Sequence, residues 1–175
     1  MRRAKPLAKP APDGSWTSKP WKTLHRTSHV TVIAVELKDL DALKAVCAAL
    51  GLEFRENQKT YRWYGRHVGD FPIPEGLTKA DLGRCDHAIA VKGNRNAYEV
   101  GLVKRGEAFI PLWDFWQGGY GLRDKIGEGG STLISAYTKE VAVRKARQFA
   151  KSKGWSYSER LDAATQETVI TLRKY

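Results

Sequence analysis

Short apolar runs at period two alternate along the chain with two longer stretches at helical spacing, and that alternation predicts the elements. Residues 29–37 (HVTVIAVEL) are dense in β-branched side chains and predict a first strand. Asp39 stands where a helix N-cap belongs, with Asp41 in the first turn to meet the positive end of the helix dipole. Leu40, Leu43, Val46, Cys47 and Leu50 form one apolar stripe, and Gly51 follows as the residue that takes a left-handed φ at the helix end. Residues 52–55 and 60–65 predict a second and a third strand. In the third, Tyr61 and Trp63 face one way while Arg62, Tyr64 and Arg66 face the other.

Residues 66–84 hold Pro72 and Pro74 and predict a long loop with one helical turn near residues 78–82. Three strands follow, at residues 86–91, 97–103 and 107–112, joined by the turns Gly93-Asn94-Arg95-Asn96 and Arg105-Gly106. Trp113, Phe115 and Trp116 surround Asp114, and such a cluster between strand and helix is expected to be core rather than a ligand cage. The glycines of residues 117–131 predict a bent, flexible connection. They match neither G-x-x-x-x-G-K-[ST] nor G-x-G-x-x-G, so a nucleotide cradle is weakly supported. Ser131 or Thr132 is expected to cap a helix that runs to about Lys153 and stops at Gly154. On that helix Ala142, Ala146, Phe149 and Ala150 predict the buried face, and Arg144, Arg147 and Lys151 a basic ridge opposite. Residues 155–161 and 168–173 predict a hairpin that completes the sheet. The fold class is therefore α+β: a twisted, mostly antiparallel sheet with two main helices on one face, for which a ferredoxin-like arrangement with extra strands is one version.

Length and charge refine this picture. A chain of 175 residues accommodates one α+β domain, residues 29–175, behind an N-terminal arm, residues 1–28. The formal charge is +11, and residues 1–30 contribute +6 of it. Arg2, Arg3, Lys5 and Lys9 make the arm a candidate polyanion-binding tail, with a solubilising leader as the plainer alternative. Trp16 and Trp21 in the arm, with Phe71 in the long loop, are candidate protein-interface anchors. Two cysteines do not make a disulfide scaffold, no apolar run is long enough to cross a bilayer, and Lys and Pro interrupt any signal-peptide core. The expected setting is the cytoplasm.

No set of residues announces a reaction. His25 and His29 at H-x₃-H spacing, with Cys85 and His87, form a weak zinc pattern that lacks a C-x₂-C partner. Cys85 and His87 also lack an orienting third group for nucleophilic catalysis. Asp86 and Asp114 are the acids to watch, and Asp114 is more simply a helix cap. Neither a catalytic role nor a cofactor or metal is expected. Arg62, Tyr64 and Arg66 on one strand face, and the ridge Arg144, Arg147 and Lys151, are the candidate nucleic-acid contacts beside the arm. Stacking on bases and neutralising phosphates requires these residue types.

Several motifs recur in a known order: Ser28-His29 before the first strand, DLDAL at residues 39–43, CDHAI at residues 85–89, YEVG at residues 98–101, and WDFW at residues 113–116. In these, residues 28–173 resemble the hypothetical chloroplast reading-frame family, which has plastid, cyanobacterial, bacterial and phage members. The final box has one residue fewer than the family's pattern between Asp114 and Trp116. The arm, the long loop and the Gly-rich segment depart from it too, and the long loop and the arm look closer to bacterial or phage members. The family carries no established activity, so the resemblance supports the fold and leaves function open. The leading expectation is a non-catalytic nucleic-acid-associated protein. The alternative is a protein-interaction module, such as an accessory subunit, assembly factor or phage modulator of a host complex, and an unrecognised enzyme is the third.

Overall fold

The computed structural model describes residues 30–31, 36–67, 73, 76–165 and 167–174. The strands are β1 (Val30–Thr31), β2 (Leu52–Arg55), β3 (His87–Val91), β4 (Val100–Arg105) and β5 (Ala108–Asp114), in one sheet of order β1-β5-β4-β3-β2. Every pairing in it is antiparallel. β2 to β5 form a meander, because the turns between β3, β4 and β5 are too short for a parallel crossover. The expected α+β class is what the chain adopts, as a meander rather than the split βαβ of a ferredoxin-like sheet.

Helix α1 (Leu40–Ala49) carries the chain from the β1 edge to the β2 edge. Its N-cap is Asp39, whose carboxylate accepts from the Ala42 amide at 2.8 Å. It stops at Gly51, whose φ of 68° a β-carbon would oppose. Ala42, Leu43, Val46 and Cys47 are buried against the sheet, as the apolar stripe predicts. Helix α3 (Ser131–Lys153) packs beside α1. The Tyr137 hydroxyl on α3 accepts from both the Lys38 and Asp39 amides at 2.9 Å, which locks the long helix to the start of the short one.

The two sheet faces are covered differently. On one, Ile89, Val91, Val100, Leu102, Phe109 and Trp113 meet α1, α3 and the short helix α2 (Leu122–Ile126). On the other, Ala88, Val103 and Leu112 lie under Tyr61, Leu77 and Cys85, with Trp63, Ile73 and Ile110 at the margin. The second layer is not a helix but the segment between β2 and β3. Gly101 lets it approach: a β-carbon there would stand 2.2 Å from the Tyr61 ring.

Several expectations are corrected. Residues 60–65 form no ladder strand, and only Thr60 pairs, in an isolated bridge with Arg84. Neither Ser131 nor Thr132 caps α3 through its side chain, since the N-cap position is Gly130. A β-carbon at Gly130 would stand 2.4 Å from the fully buried Trp113 ring, so close packing decides the residue. The Gly-rich connection is built rather than loose, and Gly118, Gly119 and Gly130 are buried. The buried face of α3 is Leu133, Tyr137, Val143 and Ala150, whereas Ala142 and Phe149 are exposed. Finally, β6 (Ser156–Leu161) and β7 (Thr168–Arg173) pair as a separate two-stranded sheet and do not extend the main one.

Candidate functional site

Two buried acids organise one end of the sheet. Glu99 is 5 % exposed and Asp114 is 1 % exposed. Glu99 precedes β4 and Asp114 ends β5, so the Gly101–Leu112 register, continued by two residues, sets them opposite one another. Between them they hold the backbone of the covering segment. Glu99 accepts from the Arg62 amide at 2.8 Å, and Asp114 accepts from the Tyr64 amide at 3.2 Å. Alternate amides of an extended segment point to one side, and here that side meets carboxylates instead of a strand's carbonyls. One true ladder-like bond joins them, from the Glu99 amide to the Arg62 carbonyl at 2.9 Å. Glu99 also takes Arg55 Nη1 at 2.7 Å and Gln58 Nε2 at 3.0 Å, while Asp114 takes the Trp116 amide at 2.8 Å. Carboxylates with this many donors are anchors. Asp114, expected to cap the next helix, instead holds the turn after β5 through the Trp116 amide; the N-cap position of the helical turn is Phe115, without a side-chain cap.

That turn is left-handed. Gln117, Gly118, Gly119 and Tyr120 have φ of 50°, 70°, 62° and 52°, and Gly121 follows at 103°. A left-handed turn costs roughly 1–2 kcal/mol at each residue that carries a β-carbon, so Gln117 and Tyr120 are held against their preference. The surroundings hold them. The Tyr98 amide donates to the Gly119 carbonyl at 2.9 Å, and Asn94 Nδ2 to the Tyr120 carbonyl at 3.0 Å. A β-carbon at Gly119 would meet the Asp114 carbonyl oxygen at 3.0 Å.

The turn sets a row of rings over Asp114. Tyr98 and Tyr120 stand edge to face with centroids 5.2 Å apart, Tyr120 and Trp116 at 6.1 Å, and Trp116 and Tyr64 at 5.1 Å. The Arg66 guanidinium lies 5.7 Å from the Tyr64 ring centre and closes the row with a cation–π contact. Tyr98 is buried, Tyr64 and Trp116 are half-buried, and Tyr120 is 41 % exposed. Burial pushes the Tyr98 phenol up to about 12, with Asp114 adding to the shift. Of the expected knot, Trp113 is core outright, and Trp116 belongs to this surface row.

A cleft of about 230 Å³ is lined by Arg55, Arg62, Ala90, Asn94, Arg95 and Glu99. Arg55 is bridged to Glu99 at 2.7 Å and Glu53 at 3.1 Å. The Arg62 guanidinium donates to the carbonyls of Arg95 and Ala97, so it stiffens the turn before β4 without losing its charge. No acid is paired with Arg62 or Arg95 among the described residues. The cleft is thus cationic.

No family model, curated protein or solved structure matches this chain.

The structure brings Arg62, Tyr64 and Arg66 onto this surface but does not gather the α3 ridge there. Arg144 is engaged by Glu140 at 2.7 Å and by the Asp41 carbonyl at 3.2 Å, and Arg147 by Glu159 at 3.2 Å and the Tyr157 ring at 5.2 Å. Lys151 is exposed. Arg2, Arg3, Lys5, Lys9, Trp16, Trp21, Phe71, His25 and His29 lie outside the described residues. Sequence reasoning missed Asn94, Arg95, Glu99 and Tyr120. The available signals were an Arg between two Asn in a turn, and a Tyr between glycines.

Neither cysteine is poised for chemistry. Cys85 Sγ donates to the Gln58 carbonyl at 3.1 Å, while His87 Nδ1 accepts from the Asn57 amide at 3.0 Å. Burial pushes the Cys47 thiol up to about 12 and the Cys85 thiol up to about 11. Among the described residues no group of three or more His, Cys, Asp or Glu is placed to hold a metal, and no helix is long and apolar enough to cross a membrane. The raised values carry a linkage. Cys47, Cys85 and Tyr98 stay protonated in the folded chain at a pH where the unfolded chain releases their protons. Their stabilising contribution is whole below about pH 8.5 and falls as pH rises toward about 12. Urea midpoints are expected to be lower at about pH 10.5 than at about pH 8, and equal midpoints would contradict it.

Proposed function

We propose that the protein is a non-catalytic, nucleic-acid-associated protein whose body contributes the surface around Arg62, Tyr64, Arg66 and Arg95. One observation supports this most: a row of rings ending in a cation–π guanidinium is linked through Asn94 to a cleft in which Arg62 and Arg95 pair with no acid among the described residues. Rings meet bases and guanidinium groups meet phosphates, and such contacts make affinity depend on salt. The formal charge of +11 favours encounter with a polyanion. Membership of the hypothetical chloroplast reading-frame family is proposed on the motifs alone.

The test is a titration of full-length protein against a labelled oligonucleotide. Affinity is expected to fall about tenfold or more between about 50 and 200 mM salt, for three or more phosphates contacted. Absence of binding at the lower salt would remove the reading.

A protein-interaction module is the second reading, favoured by the β6–β7 sheet. That two-stranded sheet rests on α3 yet keeps apolar side chains open. Leu161 is 59 % exposed, and Val169, Ile170 and Leu172 are only half-buried. A partner retained after nuclease treatment would favour it.

A further inference from the structure

Two residues link the cleft to the row of rings. Asn94 lines the cleft, and its Nδ2 holds the Tyr120 carbonyl at 3.0 Å. Arg62 lines the cleft, and Tyr64, two residues on, belongs to the row. A cleft with guanidinium groups and an amide, large enough for a phosphate, is thus linked through Asn94 to the exposed Tyr120.

Tyr120 is the residue that folding alone explains least. Its φ of 52° suits Gly or Asn better than an aromatic side chain. The Tyr98 and Trp116 rings hold it edge to face, yet it stays 41 % exposed. A large ring is therefore fixed in a disfavoured backbone conformation and left open to solvent. Outliers of this kind collect at binding sites, where the surroundings over-determine them.

We propose that this surface is a site for unpaired nucleotides, in which a base stacks on Tyr120 while an adjoining phosphate enters the cleft between Arg62 and Arg95. The inference rests on the nucleic-acid reading and narrows it to single strands. A base inside a duplex presents no open face to a protein ring, whereas an unpaired base stacks in any sequence because every base has a π-face. Tyr98, beneath Tyr120, is a positioning residue.

The test uses full-length protein, labelled oligo-dT and oligo-U single strands of roughly 12 nucleotides, and a duplex of the same length. Tyr120→Asn removes the ring and keeps a residue that tolerates the left-handed turn. It is expected to weaken both single strands by about 5- to 100-fold and to leave duplex binding unchanged. Arg95→Ala is expected to lower the slope of log affinity against log salt by about 0.7 on single strands. Circular dichroism and the urea midpoint confirm that each variant is folded. If folded Tyr120→Asn binds single strands like the parent, or the parent prefers the duplex, the single-strand site is overturned while the nucleic-acid reading stands. If the parent binds neither, both fall.

Discussion

Asp114→Ala is expected to lower the free energy of unfolding by about 3–5 kcal/mol, the largest loss from any single substitution on this surface. The side chain is 1 % exposed and takes the Tyr64 and Trp116 amides at 3.2 and 2.8 Å. Removing it takes the acceptor from two part-buried amides. Each unsatisfied donor costs roughly 1–3 kcal/mol, and bonds to a charged acceptor lie at the upper end. Asp114→Asn keeps one acceptor oxygen and turns an NH₂ toward the other amide, so a smaller loss of about 1–3 kcal/mol is expected. Urea denaturation followed by tryptophan fluorescence and far-UV circular dichroism measures both. A loss below about 1 kcal/mol for Asp114→Ala would mean that the segment is held by something else.

Gly101→Ala is expected to cost about 3 kcal/mol for a different reason. Gly101 pairs with Leu112 in the middle of the sheet, and its backbone is not among the left-handed glycines. The obstacle is contact. A β-carbon would stand 2.2 Å from Tyr61 Cδ1 and 2.5 Å from Cε1. Tyr61 is 4 % exposed and packs among Leu77, Cys85 and Ala88, so the ring has nowhere to swing. Because one ring is responsible, the effect is non-additive. In a Tyr61→Leu background the same substitution should cost about 1–3 kcal/mol less. Equal costs in both backgrounds would place the strain in the strand itself.

These two positions also show where local pattern stops informing. Period-two alternation at residues 60–65 is real: Tyr61 and Trp63 join one cluster while Tyr64 packs on the other. Yet the alternation does not make a strand. The amides at Arg62 and Tyr64 are taken by side chains 37 and 50 residues away, and no window around them encodes that. On α3 the helical period marks the element but not its buried face. Tyr137 is buried where its hydroxyl reaches the start of α1, while Phe149, farther along the helix, is left to meet Trp155 edge to face. The glycines of residues 117–121 signal an unusual backbone, but only the fold shows that Tyr120 shares it. By contrast Asp39, the stripe from Leu40 to Leu50, and Gly51 act locally, so α1 was legible in full.

The same distinction separates the two basic candidates. Arg144 and Arg147 are already engaged by Glu140 and Glu159, whereas Arg66 stacks on Tyr64 and Arg95 lines the cleft without an acid partner among the described residues. The measurement that tests this most directly compares two double variants of the full chain by the slope of log affinity against log salt on a labelled single strand. Arg66→Ala with Arg95→Ala is expected to lower the slope by about 1.4, and Arg144→Ala with Arg147→Ala to leave it within about 0.3 of the parent. A slope lost from the α3 pair and kept by the Arg66 and Arg95 pair would contradict the account.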